Sequence, residues 1–322
     1  MENNSSLAPI CLFVYSRLTE TKRTVESLRR NKLATDSQLF IFSDGAKDMN
    51  DNERVLNVRE YIYTINGFAN VTIYESGVNL GLANSIISGV SKIVNDYEKV
   101  IVLEDDLILS TNFLCFMNQA LTFYEGKKKV FSVSGFSFQF QYPDKYKYDV
   151  AFSMRASSWG WAIWKDRWEI IDWELKDYSA FRRNLMKRFM FNRGGSDLSR
   201  MLHRQVDGKI DSWAIRFVYH QYKHNYLDIF PIKSKVINNG FTSESTHTKH
   251  KTDRFDTVLD VSEQCTFSFL DCIELDKSVV KQFYKHYSFG NRLKDRFLQV
   301  LWKISKYILR PAGMMVTLWI LE

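Results

Sequence analysis

A mixed, mostly parallel α/β sheet flanked by helices is the fold this sequence predicts, and two observations predict it. Short apolar runs alternate with stretches of helical periodicity through the first 125 residues, the order of strands joined by crossover helices. Polar residues follow the apolar runs at Ser16-Arg17, Asp44-Gly45 and Glu104-Asp105-Asp106, where the carboxyl ends of such strands form a ligand crevice. The chain has 322 residues, 45% of them hydrophobic, so it can bury a large core, and 14 Gly with 4 Pro exclude a collagen-like or low-complexity chain.

In order, Pro9 to Tyr15 reads as a buried first strand and about Glu20 to Arg30 as a helix. Leu39 to Ser43 is a second strand. Glu53 to Ile65 sets Val55, Val58, Ile62 and Ile65 near one helical face. Val71 to Tyr74 is a third strand, Leu82 to Val94 a helix and Val100 to Leu103 a fourth strand. Asn112 to Tyr124 is the next helix, with Ser110, Thr111 and Asn112 as candidate caps. Val130 to Ser134 is another strand, Tyr142 to Tyr148 a loop, and Tyr178 to Phe191 and Ser212 to Tyr222 are helical.

The formal charge of +7 is local. Residues 281 to 310 hold eight Lys and Arg against the single acid Asp295. A basic face confined to one segment, with no recognisable module, argues against nucleic acid as a partner. Leu293, Phe297, Val300, Leu301, Ile304 and Ile308 recur through that segment at helical spacing, which fits an amphipathic helix on an anionic membrane surface. Packing on the rest of the protein, or on a second copy in a homo-oligomer, is the alternative. Cys11, Cys115, Cys265 and Cys272 show no CxxC spacing and read as buried free thiols, consistent with a reducing compartment. No secretory signal and no span-length apolar run is evident. The expectation is a cytoplasmic protein held peripherally at the inner face of the cell membrane.

Val100-Ile101-Val102-Leu103 delivers Glu104, Asp105 and Asp106 to a strand end. Three adjacent carboxylates repel one another and need a cation, strong donors or full hydration. Mg²⁺ or Mn²⁺ bridged to a diphosphate would supply that charge through hard oxygen ligands; a solvated turn is the bland reading. No G-x-G-x-x-G follows the first strand and no G-x-x-x-x-G-K-[ST] occurs, which disfavours a dehydrogenase or a P-loop kinase.

Val102-Leu103-Glu104-Asp105-Asp106 resembles the acidic motif of GT-A glycosyltransferases, which have a Rossmann-like fold. The nearer resemblance is to the N-acetylglucosaminyltransferase I type and to bacterial surface-polysaccharide transferases with a Glu-Asp-Asp-Leu motif, here Glu104 to Leu107. It extends from about Ile10 to His247. It implies Asp106 as the direct metal ligand, with Glu104 and Asp105 toward the donor sugar and ribose. Phe13 to Arg17 is similar to the family's first strand and loop, which implies nucleotide contacts for Tyr15 and Arg17; a surface ion pair is the alternative for Arg17. Phe42-Ser43-Asp44-Gly45 resembles the segment whose Asp recognises the uracil edge, for which a carboxylate can accept a base N–H; an Asp-Gly turn is the alternative. Asn79-Leu80-Gly81 looks like the Asn-x-Gly element before a GT-A helix, whose N-terminus favours anions.

Ser158-Trp159-Gly160-Trp161-Ala162 is also similar to a run in the bacterial enzymes, and Trp159, Gly160 and Trp161 are expected near donor sugar and acceptor. A hydrophobic core turn is the other reading. Gly208 to Trp213 resembles the segment bearing the catalytic Asp at a helix start. Asp211 is therefore the candidate base, with Asp207 as its competitor and an N-cap as its structural alternative. Asn238 to His247 resembles the closing segment, making His247 a second candidate for the metal or diphosphate shell; a solvated histidine beside His250 in a polar loop is the alternative. The resemblance implies an inverting transfer from a UDP-sugar to a glycan acceptor, linked to a polyprenyl diphosphate, in surface-polysaccharide synthesis (O-antigen or capsule). Residues 1–274 would be the catalytic domain, with a nucleotide-sugar half at about 8–125 and an acceptor half at about 126–274; 275–322 would be the basic helical appendage. The competing readings are a nucleotidyltransferase acting on sugar phosphates and a non-catalytic glycan- or membrane-binding protein with the same fold.

Overall fold

The structure is a computed structural model, and it describes residues 7–239, 255–291 and 293–294. Strands β1 (Ile10–Val14), β2 (Gln38–Ser43), β3 (Asn70–Glu75) and β4 (Lys99–Glu104) lie parallel in the order β3-β2-β1-β4. A ribbon pairs β5 (Leu107–Leu109) with β10 (Val236–Asn238). The main sheet continues beyond β4 through β8 (Trp161–Trp164), β6 (Val130–Ser134), β9 (Leu227–Pro231) and β7 (Val150–Ser153). Strand β8 is antiparallel to both its neighbours, β9 is parallel to β6, and β7 is an antiparallel edge. The mixed, mostly parallel sheet flanked by helices is the predicted fold class.

Alternation along the central strands explains why both faces are apolar. Ile10, Leu12 and Val14 enter one core layer, with α1 (Leu18–Arg29), α2 (Met49–Ile62) and α4 (Phe113–Tyr124) packed over it. Cys11 and Phe13 enter the other, beneath α3 (Leu82–Tyr97) and α9 (Trp213–Lys223). The smaller helices are α5 (Lys165–Trp168), α6 (Tyr178–Arg183), α7 (Leu185–Phe191), α8 (Leu198–Val206) and α10 (Lys277–His286). The last packs Val279 and Phe283 near Phe140 and Phe230.

Several expectations change. Helix α2 starts four residues earlier than the apolar pattern suggests, because Asp48 caps it by accepting from the backbone N–H groups of Asn50 (2.8 Å) and Asp51 (3.2 Å). None of Ser110, Thr111 and Asn112 caps α4 with its side chain; Asn31 accepts from Leu114 N–H instead (2.9 Å). The single helix expected over Tyr178 to Phe191 is two. Asn184 takes an extended conformation (φ −96°, ψ 100°), ends α6 and caps α7 by accepting from Lys187 N–H (2.9 Å). The Trp-rich run contains an element the periodicity did not announce: Trp161-Ala-Ile-Trp is the fully buried strand β8.

The cysteine reading is corrected. Cys115 and Cys265 form a disulfide across 150 residues, with Cα atoms 5.4 Å apart, because the chain around Cys265 returns over α4. Cys11 is a buried free thiol and Cys272 an exposed one, so a reducing compartment does not follow from the cysteines. Among the described residues no helix is long and apolar enough to cross a membrane. His247 and all but Leu293 and Lys294 of the helix expected over 293–310 lie outside the described residues.

Candidate functional site

The carboxyl ends of β2, β1 and β4 are neighbours, which brings the three polar segments named above to one edge. Glu104 is the last residue of β4, opposite Phe13, and Asp105-Asp106 turn the chain into β5. Helix α1 holds that turn from below. Thr24 Oγ1 accepts from Leu107 N–H (3.1 Å) and Ser27 Oγ from Leu109 N–H (3.1 Å), so two hydroxyls on a buried helical face set the exit angle of the acidic motif.

Arg17 donates to Asp105 and, at 3.1 Å, to Asp106. It thus grips the acidic turn instead of standing free beside strand one. Among the described residues one guanidinium contacts this group, and it does not neutralise three carboxylates. Burial first, then the charges of Asp106 and Asp105, pushes the Glu104 carboxyl up to about 8. Burial also raises Asp105, to about 6, against the opposing pull of Arg17. Asp105 Oδ2 is buried without a hydrogen-bond partner among the described residues. Asn238, at the end of β10, donates to Asp106 Oδ1 (3.3 Å), and Asn239 N–H donates to the Asp106 carbonyl (2.8 Å).

This chemistry fits a divalent cation. An unpartnered carboxylate oxygen and excess negative charge are what a hard cation would relieve. Among the described residues no group of three or more His, Cys, Asp or Glu side chains forms a ligand cluster. The fit is therefore to an ion held by one or two carboxylates and completed by substrate phosphates, a mode Mg²⁺ favours.

Asp44 belongs to a second, adjoining group. Its Oδ1 accepts from Gly45 N–H (2.9 Å) and Leu80 N–H (2.8 Å), and its Oδ2 from Gly81 N–H (3.0 Å) and Asn79 Nδ2 (3.2 Å). Asn79 also donates to the Gly45 carbonyl (2.7 Å). Four donors from within the chain occupy this carboxylate, so Asp44 brackets the loop after β2 to the loop before α3. A uracil N–H would have to displace one of them. Tyr15 extends the bracket sideways by donating to Asp51 (2.6 Å), while Lys47 N–H donates to its hydroxyl (3.0 Å). Burial and that bond to Asp51 push the phenol up to about 12.

Gly81 has φ +76°, ψ 156°, a conformation glycine alone adopts readily. A Cβ there would lie 3.5 Å from Asp211 Oδ2. Asp211 thus lies beside the Asp44 bracket, its side chain 56% exposed and 3.5 Å from Arg216. It is not the cap of α9; Ser212 is, accepting from Ile215 N–H (3.4 Å). Asp207 pairs instead with Lys209 (3.0 Å) at the end of α8.

The Trp segment divides. Trp161 pairs with Val102 in the sheet and lies in the core, stacked on Trp213 with ring centroids 4.8 Å apart; its ring is closed to a sugar. Gly160 (φ +59°) makes the turn into β8, where a Cβ would meet Val236 Cγ2 at 2.8 Å. Trp159 is half-buried against Phe136 (4.6 Å) and Phe255 (5.6 Å). Trp159 and Gly160 precede the residue paired with Val102, and so stand at the sheet end from which Glu104 emerges.

The structure therefore joins Arg17, Asp105 and Asp106 by direct contact, with Glu104 adjacent, and gathers Asp44, Asn79, Gly81 and Asp211 beside them. Asn238 was not singled out from the sequence, although its segment was. Arg59 was missed altogether: it donates to Ser43 Oγ (3.2 Å), the Ser76 carbonyl (2.7 Å) and the Asp44 carbonyl (3.4 Å), tying the β2 and β3 ends together. Nothing local distinguishes it from other helical arginines.

No known protein family matches the chain, and no curated protein matches its sequence. Solved structures similar to it include a mannosyltransferase from Pyrobaculum calidifontis in complex with GDP-mannose and Mn²⁺, 12% identical over 51% of this chain and 49% of that one, with a TM-score of 0.34. TarS of S. aureus is 12% identical over 47% of this chain and 26% of its own, with a TM-score of 0.31. The galactosyltransferase LgtC, with donor and acceptor sugar analogues, is 10% identical over 68% and 72%, with a TM-score of 0.36. The chain thus spans about half the first of these proteins and a quarter of the second. It is similar to them in part of its length, and its function is read from the site.

Proposed function

We propose that this chain is a metal-dependent, inverting glycosyltransferase that moves a sugar from a UDP-sugar to a glycan acceptor. The observation that carries the reading is that, among the described residues, carboxylates exceed cations at the end of β4, where Asp105 Oδ2 is unpartnered and Arg17 is the contacting guanidinium. Asp106, with His247 as a further candidate, would hold Mn²⁺ or Mg²⁺, which supplies positive charge to the departing diphosphate. Arg17 keeps the acidic turn in place and adds charge of the same sign. The Asp44 bracket fixes Asn79 and Gly81 as one wall of the donor crevice. Asp211, exposed beside Gly81, takes the proton of the attacking acceptor hydroxyl. The half-buried Trp159 offers an indole edge for a sugar ring. A polyprenyl-diphosphate-linked acceptor in surface-polysaccharide synthesis, reached from the cytoplasmic membrane face through the basic C-terminal segment, completes the proposal.

Titration calorimetry with UDP, with and without Mn²⁺, tests it. Metal should strengthen UDP binding in the parent and not in Asp106→Asn. Asp211→Asn should keep that binding and lose about 10²- to 10⁴-fold in turnover once a donor screen supplies an assay. UDP binding indifferent to metal and to Asp106→Asn would sink the metal assignment, and no UDP binding with or without metal would sink the donor assignment.

A further inference from the structure

Helix α7 exposes the side of itself that a surface helix normally buries. Leu185, Met186 and Phe189 are 74%, 68% and 66% exposed, and Met190 is also exposed. At 3.6 residues per turn these four span an arc of about 140°. The inward side is Phe191, buried among the rings of Phe181 (5.6 Å), Tyr219 (5.5 Å) and Tyr222 (5.0 Å). Tyr222 also donates to the Lys187 carbonyl (2.9 Å). The helix is thus pinned with its apolar arc facing outward, the reverse of ordinary amphipathic packing.

Cations surround that arc. Lys187 and Arg188 flank it on α7, Arg182 and Arg183 precede it on α6, and Arg193 follows it. No acidic residue occurs between Asp177 and Asp197. Met190 and Arg193 also line a cavity of about 320 Å³ whose wall includes Met154, Tyr226 and Leu275. Glu274 and Lys129 also line that cavity, adding one charge of each sign, while the helical arc itself has five cations about it and no acid on α6 or α7. Large apolar groups so flanked complement one chemistry closely: a phospholipid surface of negative charge. The side chains enter the acyl boundary while the cations meet phosphates.

The geometry points to α6–α7 as a docking arm for anionic membrane, independent of the reaction catalysed; the start of the basic segment after residue 281 lies close by, where Ser196 N–H donates to the Tyr287 carbonyl (3.2 Å). The arm lies at the C-terminal end of α9, through Tyr222, while Asp211 precedes the N-terminal end. Eleven helical residues separate the two by about 16 Å along the helix, so a docked chain holds Asp211 away from the bilayer surface.

Sedimentation of the full chain with vesicles tests this, using phosphatidylcholine alone and phosphatidylcholine mixed with phosphatidylglycerol. The parent should bind the mixed vesicles, less at high salt, and leave the neutral ones. The double variant Leu185→Asp/Phe189→Asp should partition at least about tenfold more weakly. Arg182→Gln/Arg183→Gln/Lys187→Gln keeps the apolar arc and should lose roughly a hundredfold at low salt. All five side chains are exposed, so unchanged thermal melts check that both variants fold. Undiminished binding by both locates the lipid contact elsewhere and overturns the proposal. Self-association of the parent that the variants abolish, without lipid binding, overturns it too. UDP affinity in the same preparations reports separately on the transferase reading.

Discussion

Arg17 shows how a residue's company alters its meaning. Beside strand one it reads as a nucleotide contact; in the fold its guanidinium belongs to Asp105 and Asp106. Glu104 makes the remaining imbalance measurable. Its carboxyl is about 4.5 when exposed and about 8 in the folded, metal-free chain, through burial and then its acidic neighbours. An acid raised by folding contributes stability that is fully present below about pH 4.5 and is lost as pH rises through about 8. Thermal melts in chelator should therefore show this contribution falling from pH 5 to pH 8, and Glu104→Gln should flatten the decline. An unchanged slope in the variant would show that Glu104 is not the group responsible. The acidic triplet was legible in the sequence because strand periodicity locates it. Its pairing with Arg17, 88 positions away, was not, because parallel strand neighbours are distant in the chain.

At the scale of elements, the site depends on loops tied to one another. The loop before α3 is held by Asp44, and its Gly81 adopts a backbone that a side chain would strain. Gly81→Ala should destabilise the protein by about 1–3 kcal/mol in denaturant unfolding, from that strain. It should also lower turnover more than it lowers UDP affinity, because relief of that strain would shift the loop that packs within ordinary contact of Asp211 (3.5 Å from the added methyl group). Equal loss in both would mean that the shift had not acted through Asp211. The Asn-x-Gly pattern announced this turn, and the Asp-Gly pattern announced Asp44. What neither announced is that they bond to each other. The Trp-rich run misled for a related reason. A strand apolar on both faces carries no alternation to read, so Trp161 looked available when it lies in the sheet centre.

Across the whole molecule, the returning segment around residues 259–270 binds distant parts of the chain. Cys265 bonds to Cys115, Tyr124 donates to the Leu270 carbonyl (2.8 Å), and Asp260 pairs with buried Lys235. A crosslink closing 150 residues restricts the unfolded chain strongly, by as much as about 5 kcal/mol in the loop-entropy picture. Reduction should lower the melting temperature, and Cys115→Ser with Cys265→Ser should melt where the reduced parent does. Identical melts with and without reductant would remove this disulfide from the stabilising interactions. The spacing of the four cysteines held no hint of the pairing, since only the return of the chain over α4 brings the two together.

By itself the sequence determined that apolar strands alternate with helices, that polar residues crown the strand ends, and that Glu104, Asp105 and Asp106 are delivered to one of them. Those are local properties: side-chain periodicity and the residues that interrupt it. The tertiary structure alone decided which strands are neighbours, and hence that Arg17 and Asn238 meet the acidic turn. It also decided that Asp44 is consumed by the loop beside Asp211, and that α7 turns its apolar side outward. These are long-range pairings, settled by which buried faces fit together and which donors the buried carboxylates find.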